Sequence, residues 1–297
     1  MSDDPVRRHM ERCRLCPRRC GARRAEEERG LCGADGRIML ASATKHSGEE
    51  PPISGTRGSG TFFFSHCPLS CCFCQNFPIS HLGHGTPHSI EALAERMLRL
   101  EKRGAHNINV VTGTQYAPHI VDAVERARAS GMAIPIVWNT SGYETPETID
   151  LLEGTVDIYL TDIKYVRAEV SERLTGVRDY YEIACAAAKR MFSQVGPLVL
   201  DEAGVGAKGV IVRHMVLPNG LSDTETVMAF VHETFGDAVP VSLMAQYFPT
   251  PGARRHPDIA RPITRAEYDA AKRAARAQGI EEGWFQEMDD PTLKRGA

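Results

Sequence analysis

TFFFSHCPLSCCFCQN, residues 61–76, joins a run of aromatic and β-branched residues to a segment with four cysteines. Thr61–His66 has the composition of a buried strand. Cys67, Cys71 and Cys74 then follow at the spacing C-x3-C-x2-C, with Cys72 out of step. The three thiolates suit a loop wrapped around a compact metal cluster. Three ligands leave one corner of a four-iron cluster open, much as a catalytic zinc keeps one position open for chemistry. A zinc ion with a distant fourth ligand, His66 or His81, is the alternative reading of the same loop.

Beyond this loop the chain alternates. Strand patterns recur at 61–66, 107–112, 134–139, 156–162, 209–217 and 239–247. Between and after them lie amphipathic stretches at 89–104, 119–131, 146–154, 180–195, 222–236 and 264–279. Gly104, Gly131, Gly154, Gly236 and Gly279 punctuate their ends. Six such units in series predict an α/β fold with a parallel sheet, since each helix returns the chain to start the next strand in the same direction. The expected architecture is a partial (βα)6 TIM-like barrel over 61–297, with its chemistry at the carboxyl ends of the strands. Residues 1–60 are expected to form a Cys- and Arg-rich segment with a Gly/Pro/Ser-rich linker at 47–60.

That segment carries Cys13, Cys16, Cys20 and Cys32, spaced C-x2-C-x3-C-x11-C. Four thiolates make a closed set, suited to structural zinc or to a fully ligated auxiliary iron–sulfur cluster. Eight arginines fall in the first 24 residues, yet the whole chain has a formal net charge of -3, so this is read as a solvated surface and nucleic acid is not expected as a partner. No run of 18 apolar residues and no signal-type h-region is present, which points to a cytoplasmic protein without a membrane partner. In such a compartment clustered cysteines read as metal ligands rather than disulfides. His81, His84 and His88 are read as part of a solvated glycine-rich loop, and Cys72 and Cys185 as small buried apolar groups.

The triplet with an aromatic residue before its last cysteine resembles the signature of the radical S-adenosylmethionine superfamily. FFFSHCPLSCCFCQNFPIS, NINVVTGTQYAPHI, IPIVWNTSGYE, VDIYLTDIKY, VRHMVLPNG and SLMAQYFPTP resemble homologues of the pyruvate formate-lyase activating enzyme, over about residues 10–270. The resemblance implies that Cys67, Cys71 and Cys74 bind a [4Fe–4S] cluster whose open iron takes S-adenosylmethionine. Phe73 would lie against the adenine. Gly113 and Thr114, with Gln115 in place of an acid, match the stretch that holds the methionine amino group. Asp162 and Lys164 match an Asp-x-Lys on the fourth strand; alternation puts both on one face, where buried charges need partners. Thr140 lies in a stretch that in those enzymes holds a monovalent cation, but Asn139 replaces its carboxylate and the cation is not expected. Arg213 and Gln246 match further cofactor-contacting positions.

The implied activity is reductive cleavage of S-adenosylmethionine to a 5′-deoxyadenosyl radical that abstracts hydrogen from a substrate. The implied partners are a reductant such as flavodoxin or ferredoxin and a glycyl-radical enzyme. Radical modification of a peptide, a small molecule or another macromolecule is the alternative. A zinc-binding nucleic-acid-binding protein is the alternative of another class, and it leaves the βα series unexplained.

Overall fold

The computed structural model describes residues 9–281 and 283–288, so Arg7 and Arg8 of the basic segment lie outside the described residues. Six strands form the central parallel series, which a short seventh joins at one edge: β2 (Ser59–Phe64), β4 (Ile108–Val111), β5 (Ile136–Thr140), β6 (Ile158–Asp162), β8 (Gly206–Met215) and β9 (Val241–Met244). They stand side by side in chain order, each crossover returning the chain to the next position in the sheet. The helices α3 (Ile90–Lys102), α4 (Ala117–Ala129), α5 (Pro146–Leu151), α7 (Tyr180–Val195) and α8 (Thr224–Phe235) link them, and α9 (Arg265–Ala277) follows β9. The fold is the expected mixed α/β arrangement, with an open parallel sheet of the partial-barrel type.

Local chemistry sets the helix ends. Ser89 caps α3 by accepting a hydrogen bond from the Ala92 amide, and Thr145 does the same for α5 through Thr148. Thr264 and Glu267 form a reciprocal capping box at α9. The helix expected from residue 119 starts two residues earlier at Ala117, because Pro118 fits a first turn that needs no amide donor.

The two faces of the sheet are packed differently. One face, carrying Phe62, Val110, Ile136, Trp138, Val212 and Leu243, shares a single apolar core with the helices. Trp138 and Phe62 are fully enclosed there, and burying side chains of that size contributes about 1.5–3 kcal/mol each. On the other face Val137, Ile158, Leu160 and Ile211 gather with Ile53 in a separate small cluster. Above that apolar floor the interior is polar, and it is the polar layer that concerns function.

Several elements were not legible in the sequence. β1 (Ile38–His46) belongs to the segment expected to stand apart, yet it pairs antiparallel with β2 and with β3 (Thr86–His88) and extends the same sheet. Its polar alternate positions, Ser42 and Thr44, are exposed, which masks the strand pattern. The stretch 47–60, expected to be a linker, holds the four-residue helix α1 (Pro51–Ser54) that delivers Ile53 to the sheet interior. The remaining elements are the short α2 (Phe77–Ser80), α6 (Ala168–Thr175) before α7, β7 (Val199–Leu200) beside β8, and β10 (Gly283–Phe285), parallel to β9 at the far edge. Each of these strands is too short to declare a period of two.

If α1 plugs the interior, Ile53→Ala leaves a cavity and costs about 2–5 kcal/mol. Urea unfolding should show a clearly lower midpoint with an unchanged slope; an unchanged midpoint would mean that this helix is not part of the folded core.

Candidate functional site

The cysteine loop starts where β2 ends, at the carboxyl edge of the sheet. His66 and Ser70 take left-handed backbone angles, φ 72° and 52°, which let the chain curl back on itself. The Ser70 hydroxyl donates to the Cys67 carbonyl at 2.8 Å, and the Cys74 amide donates to the Cys71 carbonyl at 3.0 Å. The sulfurs of Cys67, Cys71 and Cys74 consequently sit within electrostatic reach of one another. Tyr165 donates its hydroxyl to the Cys71 sulfur at 3.3 Å, and Ser80 donates to the Cys74 sulfur at 3.1 Å. Burial pushes the Cys67 thiol up to about 11 and the Cys71 thiol up to about 12, with the Lys164 ammonium pulling both the other way. At neutral pH these thiols keep their protons until a metal displaces them. Cys72 is held apart: its amide donates to the Leu174 carbonyl at 2.8 Å and its carbonyl accepts from Thr250 at 3.1 Å. His81 stacks on Phe77, its ring centroid 4.8 Å away.

Gln115 fastens this loop to the second parallel strand. Its side-chain nitrogen donates to the carbonyls of Ser65 at 2.9 Å, His66 at 3.3 Å and Thr112 at 2.8 Å. The residue that replaces the expected acid is thus engaged with main chain. Gly113 is fixed by crowding: a Cβ there would stand 2.5 Å from Val110 and 2.7 Å from the Trp138 ring. Three glutamines tie the opposite rim. Gln75, beside Cys74, donates to the Gln246 carbonyl at 2.6 Å; Gln286, just past β10, donates to the Gln246 side chain at 3.2 Å and accepts from the Ala245 amide at 2.9 Å.

Below the loop, the middle of the sheet holds a charged network. Asp162 ends β6 and lies opposite Arg213 of β8 in the parallel register. Arg213 donates through Nε to Asp162 at 2.8 Å and through Nη2 to the Asn139 carbonyl oxygen of the side chain at 2.7 Å. Lys164 pairs with the second oxygen of Asp162. Asp162 and Lys164 do share a face, and both are enclosed, so each is the other's compensation. Burial alone would raise the Asp162 carboxyl, but Arg213 and Lys164 hold it below the usual carboxylate range. Tyr180, at the start of α7, braces the same corner: its hydroxyl lies 2.7 Å from the Ser141 carbonyl and 3.0 Å from that of Asp162, and accepts the Lys164 amide at 3.1 Å.

Glu49 was not anticipated. It comes from the stretch before α1, sits 3.4 Å from Asn139 Nδ2 and 3.7 Å from Arg213, and has a side chain only 9% exposed. Burial pushes its carboxyl up to about 7, against the pull of Arg213. Arg213 and Lys164 together carry one positive charge more than Asp162, and that imbalance was the only signal that a further acid was required. Nearby, the Thr61 hydroxyl and the Asn109 side-chain oxygen are buried without a partner, while the Asn109 amide reaches only towards Glu49, whose carboxyl it helps to hold down. These two residues face each other across β2 and β4, and groups in that state call for a bound molecule or water.

Other expected contacts point elsewhere. The hydroxyls of Thr114 and Thr140 both donate to Glu144 on the helix side, at 2.7 and 2.6 Å, and Trp138 donates to the same oxygen at 3.2 Å. Glu144, also unanticipated, is a buried carboxyl raised by its burial. Phe73 is 2% exposed and meets Tyr165 and Tyr247 edge-on, so as placed it supports the cysteine loop from behind. Gln246 does reach the loop, through Gln75.

A one-layered parallel sheet with helices on its outer face, a polar interior and a three-thiol loop on the carboxyl end of its first parallel strand defines the class of barrel-like α/β proteins that work at their strand ends. Residues 61–231 match the radical SAM superfamily. An uncharacterized protein of Methanocaldococcus jannaschii is 33% identical over 280 residues, covering 92% of this chain and 76% of its own. Among solved structures, HydG, a maturase of the [FeFe]-hydrogenase, is similar with a TM-score of 0.51 at 14% identity, over 77% of this chain and 51% of its own. Streptococcus suis SuiB, bound to its precursor peptide SuiA, has a TM-score of 0.50 at 13% identity, over 74% of this chain and 46% of its own. These two likenesses concern the fold, and the chain spans about half the length of each. The chain belongs to the radical SAM superfamily. Membership implies a [4Fe–4S] cluster and S-adenosylmethionine. The donor set fits the first, with three thiols on one loop; the buried Thr61 hydroxyl and Asn109 side-chain oxygen, both without a partner, fit a polar ligand in the interior. No helix among the described residues is long and apolar enough to cross a membrane.

The Glu49 carboxyl yields a pH prediction. Its folded value of about 7 lies above the unfolded 4.5, so it favours folding least where it must ionise. Its contribution is fully present below about 4.5 and is lost as pH rises towards 7. Wild type should lose stability relative to Glu49→Gln across that window and track it above; parallel curves from pH 4 to 8 in urea titrations would contradict the assignment.

Proposed function

We propose that the protein is a radical SAM enzyme in which Cys67, Cys71 and Cys74 ligate the [4Fe–4S] cluster and the polar interior beneath them receives S-adenosylmethionine and the substrate. The observation that carries this reading is the convergence of three thiols on one loop directly above the Asp162–Arg213–Lys164 network. When bound, the cluster and S-adenosylmethionine supply a one-electron cleavage that yields a 5′-deoxyadenosyl radical for hydrogen abstraction. The protein's own residues do the positioning. Tyr165 donates a hydrogen bond to the Cys71 sulfur, which favours its charged thiolate form, and Ser80 donates to the Cys74 sulfur. Lys164 and Arg213 offer positive charge at the strand ends for the carboxylate of an amino acid moiety, and Asp162 offers a hydrogen-bond acceptor for hydroxyls or an ammonium. The Thr61 hydroxyl and the Asn109 side-chain oxygen supply the donor and acceptor left free. Gly113, Thr114, Thr140, Phe73 and Gln246 act one step back, shaping the walls through Trp138, Glu144, Tyr165 and Gln75. Residues 61–297 form the catalytic unit in this reading, with 1–60 as an accessory segment.

The motif likeness to activating enzymes supports a protein substrate, with a glycyl radical as the product on a partner enzyme; a reductant of the flavodoxin or ferredoxin type would supply the electron. Modification of a peptide or small molecule is the second reading, since the Thr61 hydroxyl and the Asn109 side-chain oxygen offer a donor and an acceptor to any amide.

Anaerobically reconstituted and reduced protein should release 5′-deoxyadenosine from S-adenosylmethionine, slowly even without a partner. Cys71→Ala should abolish it, and Arg213→Met should lower the rate by 100-fold or more through loss of a buried charge contact. Wild type that is iron-loaded and reduced yet releases no 5′-deoxyadenosine would overturn the reading. A glycyl-radical signal on co-incubation with a candidate partner separates the two substrate classes.

A further inference from the structure

The four N-terminal cysteines play no part in the site just described, although they are brought together. Cys13 and Cys16 lie in a loop closed by two main-chain bonds, Cys13 N to Ala22 O at 3.0 Å and Gly21 N to Cys13 O at 2.9 Å. Cys32 lies in a second tight loop closed from Gly30 to Ala34 at 2.9 Å. The two loops face each other across Gly30, whose position for a Cβ is 3.2 Å from the Cys20 sulfur and 3.6 Å from the Cys32 sulfur. Any side chain at residue 30 would enter the space between those sulfurs. The charges of Cys13, Cys20 and Cys32 all bear on Cys16. Four thiols that share one small volume have no covalent use for one another here, for all are free.

Arg24 supplies an independent pointer. It is 2% exposed. One guanidinium nitrogen donates to the Gln115 carbonyl, another reaches the Cys32 sulfur at 3.7 Å, and Nε is buried with no partner. A buried full positive charge that meets a carbonyl, a cysteine sulfur and the Tyr116 ring 6.0 Å away, with no carboxylate paired to it, is poorly compensated. A metal bound by four thiolates carries net negative charge and would complete it. Among the described residues, no three His, Cys, Asp or Glu side chains are gathered tightly around one point where a lone ion would sit. Thiolates on the corners of a four-iron cluster stand further apart than those on a single zinc, whose ligands lie about 2.3 Å from the metal.

The segment is also seated against the first cysteine loop. Arg18, between Cys16 and Cys20, donates to the Pro68 carbonyl at 2.6 Å and to Thr175 at 2.8 Å. Gly33, next to Cys32, takes the His66 imidazole so closely that a Cβ would stand 2.8 Å from Nδ1. Arg24 grips the same Gln115 that fastens the Ser65 and His66 carbonyls. Chain geometry keeps the Cα atoms of Cys32 and Cys67 within about 15 Å of each other.

We propose that Cys13, Cys16, Cys20 and Cys32 hold a second, fully ligated iron–sulfur cluster, with Arg24 as its buried counter-charge, docked on the loop that carries Cys67, Cys71 and Cys74. The first cluster site is not needed for this inference, so the two stand or fall separately.

The test is metal and sulfide counting on the full-length chain, reconstituted anaerobically with iron and sulfide in the presence of equimolar zinc. Wild type should hold about eight iron atoms, and Cys67→Ala/Cys71→Ala/Cys74→Ala about four. Cys20→Ser/Cys32→Ser should also hold about four, with a reduced electron paramagnetic resonance spectrum lacking one component. Arg24→Met should lower iron retention during desalting at least several-fold. In wild type, alkylation under native conditions should spare the four N-terminal thiols until a chelator is added. One zinc and no extra iron in the Cys67/Cys71/Cys74 variant would overturn the proposal in favour of a structural clasp. No metal there, with all four thiols alkylated at once, would overturn it outright. About four iron atoms in wild type and in the Cys67/Cys71/Cys74 variant alike, with none in the N-terminal variant, would support the second cluster and instead sink the proposed function.

Discussion

A buried guanidinium in the middle of a sheet needs anions around it, and Arg213 has Asp162, Glu49 and the neighbouring Glu50. Asp162 faces it from the neighbouring strand and Glu49 reaches it from outside the parallel series. Charge pairs of this kind seldom add net stability over apolar packing, since desolvation offsets most of the attraction. Their worth lies in what happens when one member is missing, and so β5, β6 and β8 and the stretch before α1 are held to one arrangement. The cysteine loop rests on that arrangement through Lys164, whose backbone is braced by Tyr180 and whose charge is felt by Cys67 and Cys71.

Two carboxylates divide the site. Glu144 lies on the helix side and collects hydroxyl and indole donors from β5 and the turn after β4, which fixes the wall. Glu49 lies on the interior side and meets only partly compensated charge, which leaves it able to change protonation near neutrality. The contrast follows from alternation along β5: Trp138 and Thr140 point outward, Val137 and Asn139 inward.

The repeating strand and helix patterns were readable because each buried face has a clear period, and the Cys67–Cys71–Cys74 spacing marked the right end of the right strand. Asp162, Lys164 and Arg213 were singled out by likeness, and the structure brings the three together in one network. Thr114 and Thr140 were read as ligand contacts because likeness locates a residue along the chain but does not fix which side of the strand its hydroxyl takes. Glu49 and α1 were missed for a different reason: a Gly- and Pro-rich stretch looks like a spacer whether or not it is folded. Arg24 gave no signal, since one buried arginine among eight looks like the exposed ones.

Gln286, Gln246 and Gln75 run as a ladder of amides from the far edge of the sheet to the residue after Cys74. Side-chain amides hold position by direction rather than by charge, so salt leaves such a ladder intact while a shift of one rung is passed to the next. The grip on the last thiol of the loop therefore depends on a strand that arrives more than two hundred residues later. Any partner that pulls on that outer strand has a mechanical handle on the cysteine rim.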